Sequence, residues 1–193
     1  MTDEGAGRRA LLLLAPATFF QGYDDLLLGL ALPLIAAELH LSAARAGLAV
    51  SVVQAGSFGV LLLLPLADRV GRRPVLIATL AGYTLATGAT ALSRGVVDLV
   101  AYQFAARIFL GTEYALATIV VVELVPAERR GRALAVLTSM SALGMAGAGA
   151  AFLAVARAGG SWRILYAFGI VPLALVALAR RGLAETARPA AAG

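Results

Sequence analysis

Asp68-Arg69-Val70-Gly71-Arg72-Arg73 is a charged hexapeptide set between two long apolar runs, Gly47 to Ala67 and Pro74 to Leu92. A helix needs about 20 mostly apolar residues to cross a bilayer, and both runs are of that order. A connection this short joins only neighbours, so the segment reads as a hairpin between two antiparallel membrane helices. Its three arginines place it on the cytoplasmic side, where short loops collect positive charge.

The rest of the chain has the same character. Hydrophobic residues make up 61% of the 193 and charged residues 14%. A soluble domain of that length cannot bury so much apolar surface. Six spans with short turns use about 180 residues, which leaves no room for a separate soluble domain. Cysteine is absent and histidine occurs once, at His40. Disulfides, a thiolate nucleophile and a cysteine metal site are excluded, and no metal site, cofactor or catalytic residue is expected. An intramembrane enzyme would need a nucleophile–base pair or metal ligands, so the chain is not expected to be an enzyme. The net charge of +5 sits on arginines clustered at loops rather than in a stripe. That distribution reads as membrane topology and not as nucleic-acid binding.

The expected fold is an all-α membrane protein with six transmembrane helices, over 10–37, 44–67, 74–92, 96–122, 133–156 and 162–179. An N-terminal tail over 1–9 and a C-terminal tail over 180–193 flank a bundle over 10–179. Arg8 and Arg9 precede an apolar stretch that runs to about Ile35, too long for a signal-peptide core. Ser42 and Ser161 are candidate helix caps, Pro74 suits a first helical turn, and Trp162 suits an interfacial anchor. Arg8, Arg9, Arg69, Arg72, Arg73, Arg129, Arg130, Arg132, Arg180, Arg181 and Arg188 fall on one side, against Arg45, Arg94, Arg157 and Arg163 on the other. That asymmetry predicts a multi-pass protein of the inner (plasma) membrane with both termini cytoplasmic.

Four ionisable residues fall inside the spans: Asp24 and Asp25 in the first, Arg107 and Glu113 in the fourth. Each costs roughly 2.5–3.5 kcal/mol at the bilayer centre, so they should face a polar cavity or one another. They are the candidate proton-coupling residues. Proton binding to a carboxylate competes with pairing to an arginine, which ties protonation to conformation. The alternative is a static salt bridge that fixes helix packing. Asp24 and Asp25 point about 100° apart, so they cannot serve one partner equally. Gln21, Tyr23, Gln54, Gln103 and Tyr114 are candidate solute-binding residues, and Gln103, Arg107 and Gly111 share one helical face. The competing role for these is interhelical hydrogen bonding, worth about 0.6 kcal/mol each. The fifth span is rich in small residues, from Ser141 to Ala150, and they are expected to serve close helix packing.

Several stretches resemble the major facilitator superfamily of transporters. Leu66-Ala67-Asp68-Arg69-Val70-Gly71-Arg72-Arg73 is similar to that family's loop motif G-x-L-a-D-r-x-G-r-[KR], with Leu64 in place of the first glycine. Gly22-Tyr23-Asp24 resembles the G-[YF]-D of sugar porters and metabolite:proton symporters, and Arg107-x-x-x-Gly111 resembles their fourth-helix motif. Glu123-Leu124-Val125-Pro126-Ala127-Glu128-Arg129-Arg130-Gly131 is similar to their E-x-x-P-x-x-x-R-G loop. Trp162-Arg163 matches the usual start of the sixth helix. Leu183 to Arg188 weakly echoes the P-E-S-P-R that follows it.

The resemblance implies one six-helix half of the family fold, built as two inverted three-helix repeats. It implies that Asp24 is the proton acceptor and that Arg107 pairs with it. It further implies that Asp68, Arg69, Gly71, Arg72, Arg73, Glu123, Glu128, Arg130 and Gly131 form conformational latches. The expected function is secondary transport of a small polar solute, a sugar or organic acid, coupled to protons by alternating access. The expected partners are solute, proton and lipid bilayer, with a second six-helix half supplied by a homodimer or a separate chain. The alternative is a non-transporting assembly partner or sensor derived from a transporter half.

Overall fold

Helix follows helix along this chain with almost nothing between them. Among the described residues, α-helices run α1 (Asp3–Glu38), α2 (Ala43–Ala55), α3 (Val60–Val70), α4 (Arg72–Ala91), α5 (Val96–Leu124) and α6 (Ala127–Arg157). A further helical segment spans 162–168. The computed structural model describes residues 3–168 and 170. The tail predicted over 180–193 and most of the sixth span lie outside the described residues. A 3₁₀ turn, Gly56–Gly59, joins α2 to α3 end to end, so the two form one rod, Ala43–Val70. That rod, α4, α5, α6 and the Leu11–Glu38 part of α1 are each long and apolar enough to cross a membrane.

The helices overrun the apolar runs that predict them. α1 begins at Asp3, so most of the 1–9 tail is helical. α6 begins at Ala127 rather than 133, taking Glu128 to Arg132 into its first turns. A backbone leaving the bilayer keeps its hydrogen bonds most simply by staying helical. Pro126, extended at φ −51° and ψ 145°, sets the start of α6, and Glu128 lies in its first turn, where the helix dipole favours an acid. The predicted charged loop shrinks for the same reason. Asp68 and Arg69 belong to the end of α3, Arg72 and Arg73 to the start of α4, and Gly71 alone breaks the helix. Its φ of 101° is a conformation that side chains disfavour.

The predicted caps form. Ser42 accepts from the Arg45 amide at 3.4 Å and Ser161 from the Arg163 amide at 3.3 Å. Pro74 sits in the first turn of α4.

α1 packs chiefly on α6 and α4 on α5, while α5 also touches α1 and the α2–α3 rod. The α1–α6 contact is backbone to backbone. A Cβ on Gly22 would lie 1.9 Å from the Ser141 carbonyl oxygen, and one on Gly144 1.8 Å from that of Phe19. Small residues permit this approach, as expected of the fifth span. The core stacks in three layers. Leu14, Leu76, Val121 and Leu137 fill the arginine-rich end. Phe20, Leu80, Tyr83 and Leu110 fill the middle, and Leu27, Ile35, Leu99 and Trp162 the opposite end. Apolar side chains left outside, such as Phe58 and Leu62, lie mostly on the α2–α3 rod and α6.

Candidate functional site

Asp24 and Asp25 are adjacent, yet they occupy different environments. Asp24 is 2% exposed, and its Oδ1 has no hydrogen-bond partner among the described residues. Asp25 is half-buried, and its Oδ1 accepts from Nη1 of the buried Arg107. The resemblance implied that Arg107 pairs with Asp24; the arginine is instead held by Asp25. The reason is helical geometry. Successive residues diverge by about 100°, and α5 lies on the Asp25 side of α1. Asp24 follows one turn after Phe20, whose carbonyl accepts the Tyr83 hydroxyl of α4 at 3.3 Å. Asp24 therefore turns toward α4, and the ion pair forms at Asp25.

The other fourth-span candidates divide similarly. Gln103 is buried and donates to the Thr90 hydroxyl at 3.0 Å, so in this conformation it ties α5 to α4. Glu113 lies roughly 9 Å along α5 from Arg107. It is buried, and its Oε2 accepts from the Thr79 hydroxyl at 3.0 Å. Tyr23 is also buried and donates to the Leu165 carbonyl at 3.1 Å. Of the five candidate solute residues, Gln54 and Tyr114 are exposed and Gln21 is half-buried. Gln21 precedes Asp25 by one turn, on the same flank of α1.

At the arginine-rich end, two of the motifs meet. Arg72 pairs with Glu123 at the end of α5 and lies 3.9 Å from Asp68. One guanidinium thus joins the α3–α4 turn to the α5–α6 turn. Arg130 donates through Nε to the Val125 carbonyl at 3.1 Å, which satisfies a group just past the end of α5. Arg69, Glu128 and Gly131 are exposed and Arg73 is half-buried.

A cluster at the opposite end was not anticipated. Glu38, the last residue of α1, accepts from Trp162 Nε1 at 2.7 Å and from Arg163 Nη1. Arg163 also donates to the Ser93 carbonyl at 2.8 Å and lies over the Trp162 ring at 4.4 Å. These bonds tie the end of α1, the α4–α5 turn and the 162–168 segment together. The available signal was an acid closing an apolar span, with Trp-Arg opening a later one on the same side.

Residues 14–192 match the family model of the Major Facilitator Superfamily. The chain belongs to the major facilitator superfamily. Among curated relatives, it is 32% identical over 167 residues to a putative metabolite transport protein of Haemophilus influenzae, covering 86% of this chain and 41% of that protein. It is 30% identical over 171 residues to a gallate transporter of Pseudomonas putida, covering 88% and 38%. The chain thus spans about two fifths of these two relatives. Among solved structures, it superposes on the proton:xylose symporter XylE with a TM-score of 0.83 and 19% identity, covering 95% of this chain and 46% of that one. The architecture is therefore that of one half of a major facilitator fold, in a multi-pass membrane family whose matched relatives are transporters rather than enzymes.

Proposed function

We propose that this major facilitator chain works as one six-helix half of a secondary transporter that moves a small polar solute, a sugar or organic acid, in symport with protons. The observation that carries the reading is the Asp24–Asp25–Arg107 group, three ionisable residues brought together in the middle of two membrane spans. Such groups are expensive in a bilayer, and ion or solute pathways are where they occur. Gln21, Gln54 and Tyr114 are the solute-binding candidates left accessible. The apolar faces of the α2–α3 rod and α6 support docking of a second half, whether from a longer polypeptide, another chain or a second copy.

Alternating access then rocks one half against the other about the solute site. The Arg72–Glu123 pair holds the Asp68–Arg73 and Glu123–Gly131 latches as one unit during that motion. The arginine distribution supports both latches and both termini on the cytoplasmic side of the inner membrane.

The test is uptake into proteoliposomes from a panel of radiolabelled sugars and organic acids under an imposed proton gradient. An uncoupler and Asp24→Asn should each abolish accumulation. Uncoupler-sensitive accumulation that survives in Asp24→Asn would remove Asp24 from the coupling role.

A further inference from the structure

Two carboxylates and one guanidinium meet inside this bundle, and only one carboxylate holds the guanidinium. Arg107 is bound to the half-exposed Asp25. Asp24 is buried, with Oδ1 unpartnered among the described residues. The titratable groups within electrostatic reach of Asp24 are Tyr23 and Asp25 from α1, Tyr83 from α4, Tyr166 from the 162–168 segment and Arg107 from α5. Arg107 is the one cation among them. It is paired with Asp25, and Asp24 lies one residue away on the same helix.

A buried carboxylate without a counter-ion is neutralised by a proton. Resting on the transport reading above, we propose that Asp25 is the port through which the coupling proton reaches and leaves Asp24, and that Arg107 exchanges between the two carboxylates as it does so. In the state described, Asp24 carries the proton while Asp25 and Arg107 form the ion pair. The Asp24 O–H bond breaks and an O–H bond forms on Asp25, while Arg107 leaves Asp25 for the Asp24 carboxylate. One proton and one ion pair are present before and after, so the buried group stays neutral throughout. Asp25, being partly exposed, then passes its proton to water on the open face of the bundle. That release leaves one unpaired carboxylate at the accessible position rather than the buried one. Arg107 suits the exchange because its planar fork can turn from one acceptor to the other without losing charge. The unpartnered Oδ1 of Asp24 is the vacant acceptor the exchange requires.

The proposal concerns protonation, so its test needs no solute. Infrared spectra of the purified full chain in lipid at neutral pH should contain a carboxylic-acid C=O band that Asp24→Asn removes. In Asp25→Asn, Arg107 has lost its anionic partner and turns to Asp24, so the band should vanish there too. Asp25→Glu restores an acceptor and should restore the band. If Asp25→Asn does not fold, Asp25→Ser, which leaves room for water at the half-exposed site, carries the same expectation. Absence of an Asp24 band in the unmutated protein overturns the proposal, as does its persistence without Asp25, which would mean a static Asp25–Arg107 brace. The uptake assay stands apart from this result. The expected bands with no proton-driven uptake by the complete two-half assembly would remove the transport reading and leave the exchange in place. Uptake with an Asp24 band indifferent to Asp25 would do the reverse.

Discussion

Arg72 at the start of α4 and Glu123 at the end of α5 form an ion pair that joins two turns far apart in sequence. The arginine is mostly covered and the glutamate is 36% exposed, so water screens the pair in part. Arg72→Ala and Glu123→Ala should each lower stability, and a double-mutant cycle should return a coupling of about 0.5–1 kcal/mol. Thermal unfolding in detergent at low and high salt measures it. A coupling of zero at low salt would separate the two turns energetically.

The α1–α6 interface predicts a sharper effect. Gly22→Ala or Gly144→Ala would drive a methyl group into a backbone carbonyl, where no side-chain rotation relieves it. Each should cost about 1–3 kcal/mol or more. Gly149→Ala, on the same helix with open space around it, should be nearly neutral. Equal losses for Gly144 and Gly149 in unfolding assays would show that helix propensity, not close approach, sets the cost.

Trp162 is the chain's single tryptophan, so its fluorescence reports on the Glu38 cluster directly. It is 1% exposed, and emission should be blue-shifted and protected from acrylamide. Glu38→Ala removes acceptors from both Trp162 and Arg163. Emission should shift to the red with greater quenching, and stability should fall by about 1–3 kcal/mol. An unchanged spectrum would mean that packing against Tyr166 holds the indole without the carboxylate.

Topology can be read without removing any native thiol, since the chain has no cysteine. Gly131→Cys, near the start of α6, and Gly95→Cys, just before α5, place thiols where an added side chain meets nothing within 4 Å. A membrane-impermeant maleimide applied to whole cells should label Gly95→Cys and spare Gly131→Cys, and inverted vesicles should reverse the result. The opposite labelling would invert the orientation.

Much of this architecture was legible along the chain, and the reason is the solvent. In a bilayer the backbone has no alternative to the helix, so apolar run length and punctuation by Gly71, Pro126, Ser42 and Ser161 set the elements. Charge inside a span is costly enough to mark Asp24, Asp25, Arg107 and Glu113 as special wherever they pack. Which carboxylate holds Arg107 was decided only by the rotation of α1 against α5, and local sequence is blind to that angle. The same holds for Gln103, whose amide is committed to Thr90, and for Glu38, whose partners lie more than 120 residues away in the chain. Composition and periodicity specify helices that must be buried. The contacts between them, where the ion pairs form, exist only after those helices have found one another.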